Sequence, residues 1–256
     1  MRVRLALTLA LLAVLSLGAQ EMPSLEEEAS ASRIGPIRIV LLDGCFHGTL
    51  ERGVAQTRTT LPVTIDSRYL VTAGDCSIIL SKVKSELTAL AKAEEAAQQL
   101  ARRRREPIPL TIFYVGASFY GAPDSWKQAV DRLARSAILI VPSGNLPQYP
   151  AASLWPSGTV KIGSAPKGQI EGSRGSAVSA YMDFDSVEVE IDGVRWSTGA
   201  SSTAAMLFIS HLGNVLSRGV GANRTPAEIQ TRIKALLHEE IIREEDLEDR
   251  LEEVLR

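Results

Sequence analysis

The chain has 256 residues, a net charge of −2, 45% hydrophobic residues and 23% charged residues. This balance is typical of a globular protein and excludes a disordered or collagen-like chain. The near-neutral charge gives no general attraction to nucleic acid, so we expect no nucleic-acid partner. With 2 cysteines the chain has no Cys/His zinc spacing, and we expect no metal and no cofactor.

The first segment has the pattern of a secretory signal peptide. Arg2 and Arg4 precede an apolar run over 5–15, and Ser16-Leu17-Gly18 supplies the small residues that a signal peptidase reads. The run is short for a bilayer span of about 20 residues; an uncleaved anchor is the alternative. We expect a signal peptide over 1–18 and a secreted or periplasmic mature protein, with no stable membrane insertion.

Export bears on the two cysteines, Cys45 and Cys76. In an oxidising compartment a disulfide between them would persist. Closing a loop of about thirty residues would stabilise the fold by about 3–4 kcal/mol in the chain-entropy model. Two separate thiols are the alternative, because the sequence does not show whether their Cα atoms lie close enough.

After a flexible acidic tail over 19–36, predicted strands and helices alternate along the chain. Short apolar runs rich in β-branched residues predict strands at 37–42, 69–73, 110–115, 137–141, 159–162 and 187–191. Helical spacing or capping residues predict helices over 78–105, 122–136 and 201–217, and one more beginning at Thr225. The alternation predicts an α/β fold with a mostly parallel β-sheet and helices on both faces.

The last stretch, 238–256, is rich in acids and has apolar residues at near-helical spacing. It predicts an acidic amphipathic C-terminal helix. Such a helix either packs one face on its own domain or binds a partner.

Polar residues stand where predicted strands end or helices begin, which is where functional groups collect in open parallel sheets. Asp43 ends the first strand, and His47 begins the next helix. Asn145 follows the fourth strand, and Ser201 opens the apolar helix. Acyl transfer needs these types: a hydroxyl nucleophile, an imidazole base, a carboxylate that orients it and a donor to the oxyanion. Taken singly, each residue also fits an ordinary turn or cap.

These segments together resemble the subtilisin-like serine proteases (subtilases), whose catalytic residues follow in the order Asp, His, Ser. IRIVLLDG resembles the strand with the catalytic Asp, HGT the histidine motif, ILIVPSGN the oxyanion segment and GASSTAA the serine motif. The resemblance, over 37–237, implies catalytic Asp43, His47 and Ser201, with Asn145 in the oxyanion hole. It also implies a substrate-binding edge formed by Gly74, Ser77, Ser118, Phe119 and Gly121.

The chain departs from the family at two motifs. Gly44, Cys45 and Phe46 alone separate Asp43 from His47, where the family has a few tens of residues. Four Cα–Cα steps span at most about 13–14 Å, so contact is possible. The serine motif has Ala200, Thr203 and Ala205 where Thr, Ala and Pro are usual.

The resemblance implies a secreted serine endopeptidase that hydrolyses peptide bonds in a peptide or protein substrate. The departures motivate an alternative from another class, a catalytically inactive subtilase-fold protein that acts as an extracytoplasmic binding module. An exported α/β esterase is the weakest candidate, because position 203 is Thr and the Gly-x-Ser-x-Gly elbow is absent.

Overall fold

The computed structural model of the chain describes residues 34–43, 45–60, 62–69, 79–116, 124–145, 155 and 158–256. Several predictions lie outside these residues: the signal peptide, nearly all of the acidic tail, and Cys76 with its disulfide. The predicted substrate-binding edge at Gly74, Ser77, Ser118, Phe119 and Gly121 lies outside them as well. All of these stay predictions.

The described residues form strands and helices in alternation. The strands are β1 (Ile34–Asp43), β2 (Thr64–Tyr69), β3 (Ile108–Val115), β4 (Ile138–Pro142), β5 (Val160–Ser164), β6 (Ala180–Asp183), β7 (Val187–Ile191), β8 (Val194–Thr198) and β9 (Glu240–Arg243). The helices are α1 (Cys45–Arg58), α2 (Ile79–Arg104), α3 (Asp124–Ser136), α4 (Ser201–Ser217), α5 (Pro226–Leu236) and α6 (Leu247–Leu255). Thr225 caps α5 with the reciprocal Glu228 contact expected from the sequence.

Seven strands form one sheet in the order β2-β1-β3-β4-β5-β6-β9, and every neighbouring pair is parallel. Successive side chains of β1 point to opposite faces. Ile39 and Leu41 join a core with α1, α4, α5 and α6, whereas Val40 and Leu42 join a core with α2 and α3. The predicted α/β fold with a mostly parallel sheet and helices on both faces is confirmed.

Helix α4 is the central element of the larger core. Its residues 201–210 and 212–216 are all buried, and it packs across β1, β3, β4 and β5. A helix with apolar residues on most of its sides is typical of the centre of a core. This burial fixes the first residue of α4, Ser201, beside the carboxyl ends of the central strands.

Strands β7 and β8 form a separate antiparallel hairpin. The predicted strand over 187–191 therefore exists, but it does not join the parallel sheet. Asp192 and Gly193 form the turn with φ of 51° and 77°, as a two-residue hairpin turn requires. The hairpin packs on α1 at Gly53, where an added Cβ would lie 3.0 Å from the Cβ of Val189. Helix α1 therefore packs against both the parallel sheet, at β1 and β2, and the hairpin, at β7.

The stretch 238–256, for which we expected one helix, contains strand β9, a short 3₁₀ turn and helix α6. Strand β9 pairs with the outer edge of β6 and buries Ile242. An unpaired sheet edge attracts a further strand, and this tertiary contact overrides the local helix preference of the acidic residues. The apolar side of α6, including Leu247 and Leu251, packs into the larger core of the same chain.

Candidate functional site

The first pair of candidate residues forms where β1 passes into α1. Asp43 is the last residue of β1, and His47 lies in the first turn of α1. Nδ1 of His47 donates a hydrogen bond to Oδ2 of Asp43 at 2.6 Å, because an ionised carboxylate can only accept. The short connection between the two residues therefore permits the contact. Asp43 is buried, whereas the His47 side chain is 45% exposed.

The hydrogen bond that His47 donates to Asp43 raises the pKa of His47 above its ordinary value. Burial opposes this increase, and the negative charges of Asp43 and then of Glu51 add to it. A more basic imidazole that is fixed in one tautomer is what a general base for a hydroxyl requires. The second ring nitrogen, Nε2, is the atom that would take the proton.

The second pair joins the fourth strand to the start of α4. Oγ of Ser201 donates to Oδ1 of Asn145 at 2.6 Å, and the backbone N–H of Ser201 donates to the same oxygen at 2.9 Å. The backbone N–H of Gly144 in turn donates to Oγ of Ser201 at 3.2 Å. Because a backbone N–H can only donate, Oδ1 of Asn145 and not its NH₂ group faces Ser201.

A backbone hydrogen bond from a neighbouring loop fixes the loop that carries Asn145. The N–H of Ser173 donates to the carbonyl oxygen of Gly144 at 3.1 Å. The preceding residue, Gly172, has a φ of +79°, and a Cβ added there would lie 2.2 Å from that same oxygen. Only glycine fits this position, since both the backbone conformation and the space exclude a side chain.

The structure does not join these two pairs by a hydrogen bond. Among the described residues, the Ser201 hydroxyl donates to Asn145, and His47 presents its Nε2 to a different group. That group is Oε1 of Glu51, at 3.7 Å. The structure thus brings Asp43 to His47 and Asn145 to Ser201, without a relay from Ser201 to His47.

Glu51 is a residue of the site that sequence analysis missed. It lies one helical turn after His47 and is 0% exposed. Within the described part of the chain, neither of its carboxylate oxygens makes a hydrogen bond of good geometry. The available signal was its spacing, because residues four apart share one helix face.

Burial raises the pKa of Glu51 to about 7. The charge of His47 and the hydroxyls of Ser202 and Thr203 oppose this increase, and the charge of Asp43 adds to it. Tyr114 on β3 lies on the same side of the sheet, and its hydroxyl is buried without a hydrogen-bond partner within the described residues. Burial, with the charges of Glu51 and Asp43, raises the pKa of Tyr114 well above its ordinary value.

Together these groups can support acyl-transfer chemistry. The site offers a hydroxyl at the first residue of a helix, where the helix dipole favours negative charge. An imidazole oriented by a carboxylate lies on the neighbouring helix α1, which packs against α4. The resting contacts of the hydroxyl and of Nε2 must break before the two can exchange a proton.

Comparison with known proteins shows a similarity of fold and does not assign the chain to a family. No family model matches the chain, and no curated protein matches it. A solved structure of the patellamide maturation protease PatG aligns with a TM-score of 0.50 and 11% identity, covering 90% of this chain and 94% of that one. The PatG macrocyclase domain aligns with a TM-score of 0.47 and 12% identity, covering 88% and 93%.

A third solved structure, PatG macrocyclase in complex with a peptide, aligns with a TM-score of 0.47 and 12% identity over 81% of this chain and 84% of that chain. At identities this low, the alignments describe backbone architecture alone. The α/β fold of this chain is subtilisin-like.

Proposed function

We propose that the chain is a subtilisin-like serine endopeptidase that hydrolyses peptide bonds with Asp43, His47 and Ser201. The observation that carries this proposal is the 2.6 Å contact between Asp43 and His47 at the sheet edge where the N-terminus of α4 presents Ser201. The subtilisin-like fold supports it. No metal or cofactor enters the proposed reaction.

In the proposed mechanism His47 turns its Nε2 from Glu51 to the hydroxyl of Ser201 and takes its proton. Oγ then attacks the scissile carbonyl carbon, and the backbone N–H of Ser201 and the NH₂ of Asn145 bind the resulting oxyanion. Asn145 must rotate its amide for this, because its oxygen faces Ser201 at rest. His47 then protonates the leaving amine, and water releases the acyl group.

The proposed substrate is an extended segment of a peptide or protein. Such a segment pairs with exposed strand edges through main-chain hydrogen bonds. The edge proposed for this role includes Gly74, Ser77, Ser118, Phe119 and Gly121. The signal-peptide pattern over 1–18 supports an extracytoplasmic location for the reaction. No helix among the described residues is both long and apolar enough to cross a bilayer.

A specific observation favours the second candidate function, an inactive binding module. The hydroxyl of Ser201 is engaged by Asn145, and Nε2 of His47 faces Glu51. A protein that had lost catalysis would keep the subtilisin-like fold and would need no relay between the two.

Hydrolysis of protein and fluorogenic peptide substrates separates the two candidates. We expect Ser201→Ala to abolish hydrolysis by the purified protein. Ser210→Ala is the matched control, since Ser210 is a buried serine of the same helix whose hydroxyl, among the described residues, donates to its own helix backbone at the carbonyl of Met206. It should leave the rate unchanged. Equal rates for wild type and Ser201→Ala, or binding of peptides without hydrolysis, would contradict the endopeptidase proposal.

A further inference from the structure

His47 lies between two carboxylates on one side of α1. Asp43 precedes it by one turn and accepts a hydrogen bond from Nδ1. Glu51 follows it by one turn and places Oε1 3.7 Å from Nε2. Each ring nitrogen therefore faces a different acid, although the proposed reaction uses only the first.

The surroundings of Glu51 leave its charge poorly compensated. It is fully buried, and its oxygens have no hydrogen-bond partner of good geometry among the described residues. A buried carboxylate without such partners is stable as an anion only beside a positive charge. In the described part of the chain, the cation within reach is the imidazolium form of His47, whose Nε2 lies 3.7 Å from Oε1 of Glu51.

The other groups whose charges or dipoles reach Glu51 cannot supply a positive charge. Asp43 on β1 is an acid, and Tyr114 on β3 carries a buried phenol. Helix α4 presents Ser202 and Thr203, which are uncharged hydroxyls. His47 is therefore the one group among these whose positive charge acts on Glu51, and the titrations of the two side chains are coupled.

We propose that Glu51 is a positioning residue of the site, whose carboxylate holds the Nε2 side of His47 and favours the imidazolium, so that it sets the pH above which His47 can accept the proton of Ser201. This inference rests on the proposed function for its catalytic meaning. The effect of Glu51 on the pKa of His47 does not depend on turnover and can be measured directly.

The consequence for His47 has a definite sign. Glu51→Gln keeps the size of the side chain and removes its charge, so the imidazolium loses one of its two neighbouring anions. A carboxylate within about 4–6 Å typically shifts a neighbouring pKa by about one unit or more. We expect the pKa of His47 to fall by about one unit in Glu51→Gln, and the acid limb of the reaction rate to move by the same amount to lower pH.

An NMR titration of the 3 histidines in the whole protein measures the effect of Glu51 on the pKa of His47 independently of catalysis. The pKa of His47 should fall in Glu51→Gln and stay unchanged in the control Glu248→Gln. In that control the removed carboxylate lies beside His211, so only the titration of His211 should change. An unchanged pKa of His47 in Glu51→Gln would overturn the inference.

The wild-type protein gives a second test that needs no variant. The carboxyl ¹³C resonance of Glu51 should titrate in the same pH range as the ring of His47, because the titrations of the two side chains are coupled. Titration of Glu51 in the ordinary glutamate range, without a step shared with His47, would overturn the inference even if Glu51→Gln did not fold.

A pH profile of the reaction of Ser201 with a fluorophosphonate probe separates this inference from the proposed function. A shift of the acid limb in Glu51→Gln supports the inference, and a merely structural role would change stability without that shift. Labelling with the same acid limb in both proteins would overturn it. If neither protein is labelled while the pKa of His47 still shifts, the proposed function fails, but the inference that Glu51 raises the pKa of His47 is supported.

Discussion

Asn145 and Ser201 satisfy each other in the resting site. The two donors proposed for the oxyanion, the backbone N–H of Ser201 and the NH₂ of Asn145, do not both face the same point, because the N–H is bound to Oδ1 of Asn145. A substrate carbonyl must displace that oxygen. In the proposed reaction the site exchanges an internal hydrogen bond for one to the developing oxyanion, where the donors act most strongly.

The Asn145→Ala variant tests the proposed side-chain donor to the oxyanion. Asn145→Ala removes the side-chain donor, and loss of one such donor typically lowers turnover by about 10²–10³, a magnitude established for subtilisin. We expect peptide hydrolysis to fall by that order. The far-ultraviolet circular dichroism and the unfolding midpoint should change little, since Asn145 is exposed. Unchanged turnover would remove Asn145 from the mechanism.

At the residue scale, Asp43, His47, Asn145 and Ser201 could be named from the sequence because each stands at the end of an apolar run or at the start of a helix. Glu51 could not. A glutamate within a helix is usually exposed, and this one is buried because α4 packs over α1, a contact between distant parts of the chain.

At the scale of elements, the loop that carries Asn145 depends on the backbone at Gly172. The position combines a φ of +79° with close contact to the carbonyl oxygen of Gly144. Gly175, three residues after Gly172, has a φ of +99°, and a Cβ added there would have no described atom within 4 Å. The two glycines share the unfavourable backbone conformation and differ in the contact.

The matched variants Gly172→Ala and Gly175→Ala therefore separate backbone strain from displacement of the Asn145 loop. Both should lose stability, by about 1–2 kcal/mol from the positive φ. Only Gly172→Ala should also slow peptide hydrolysis, by tenfold or more, since its methyl group must push Gly144 and Asn145 aside. Urea unfolding and hydrolysis rates of the two proteins test this. Equal hydrolysis rates would mean that the loop does not position Asn145.

Elements were predictable where packing and sequence pattern agree. Helix α4 has the predicted bounds, 201–217, because its apolar residues require complete burial. The hairpin was missed, although Asp192-Gly193 is a typical two-residue turn, because β8 lacks an alternating pattern and is largely exposed. Strand β9 was missed because its residues favour a strand only once the edge of β6 is available.

At the scale of the whole molecule, the C-terminal segment is tied to α4 by a charged network. His211 on α4 hydrogen-bonds Glu248 through Nδ1 at 2.9 Å, and Asn214 donates to the same carboxylate at 3.0 Å. Arg218 donates to the other oxygen of Glu248 at 2.7 Å. This network connects α4, which begins with Ser201, to the C-terminal segment that contains β9 and α6.

The pKa values of the network fix the pH range in which it stabilises the fold. Burial lowers the pKa of His211, but the contacts with Glu244 and Glu248 and the negative charges of both outweigh this and raise it. Burial raises the pKa of Glu248, but hydrogen bonds with Asn214, His211 and Arg218 outweigh this and lower it to about 2. The histidine contribution is complete below about pH 6.5 and is lost as the pH rises through the raised value. The glutamate contribution is complete above about pH 4.5 and is lost as the pH falls towards 2.

We therefore expect Glu248→Gln to lower the free energy of unfolding by about 1–3 kcal/mol, most strongly between about pH 4.5 and 6.5. Outside that range the difference from wild type should shrink. Glu245→Gln is the control, because Glu245 pairs with Arg243 while both side chains are well exposed, and such pairs contribute at most about 1 kcal/mol. Urea unfolding at pH 3, 5.5 and 8 tests this. A difference independent of pH would contradict the network's role.

The proposed function requires that Asp43, His47 and Ser201 act together on an acyl group. The most direct measurement is mass spectrometry of the protein after reaction with a fluorophosphonate, which phosphonylates only a serine activated by a neighbouring base. We predict a single adduct on Ser201, absent from Ser202, and lost in His47→Ala. Absence of the adduct in the wild-type protein, or an adduct on Ser201 that persists in His47→Ala, would contradict the claim.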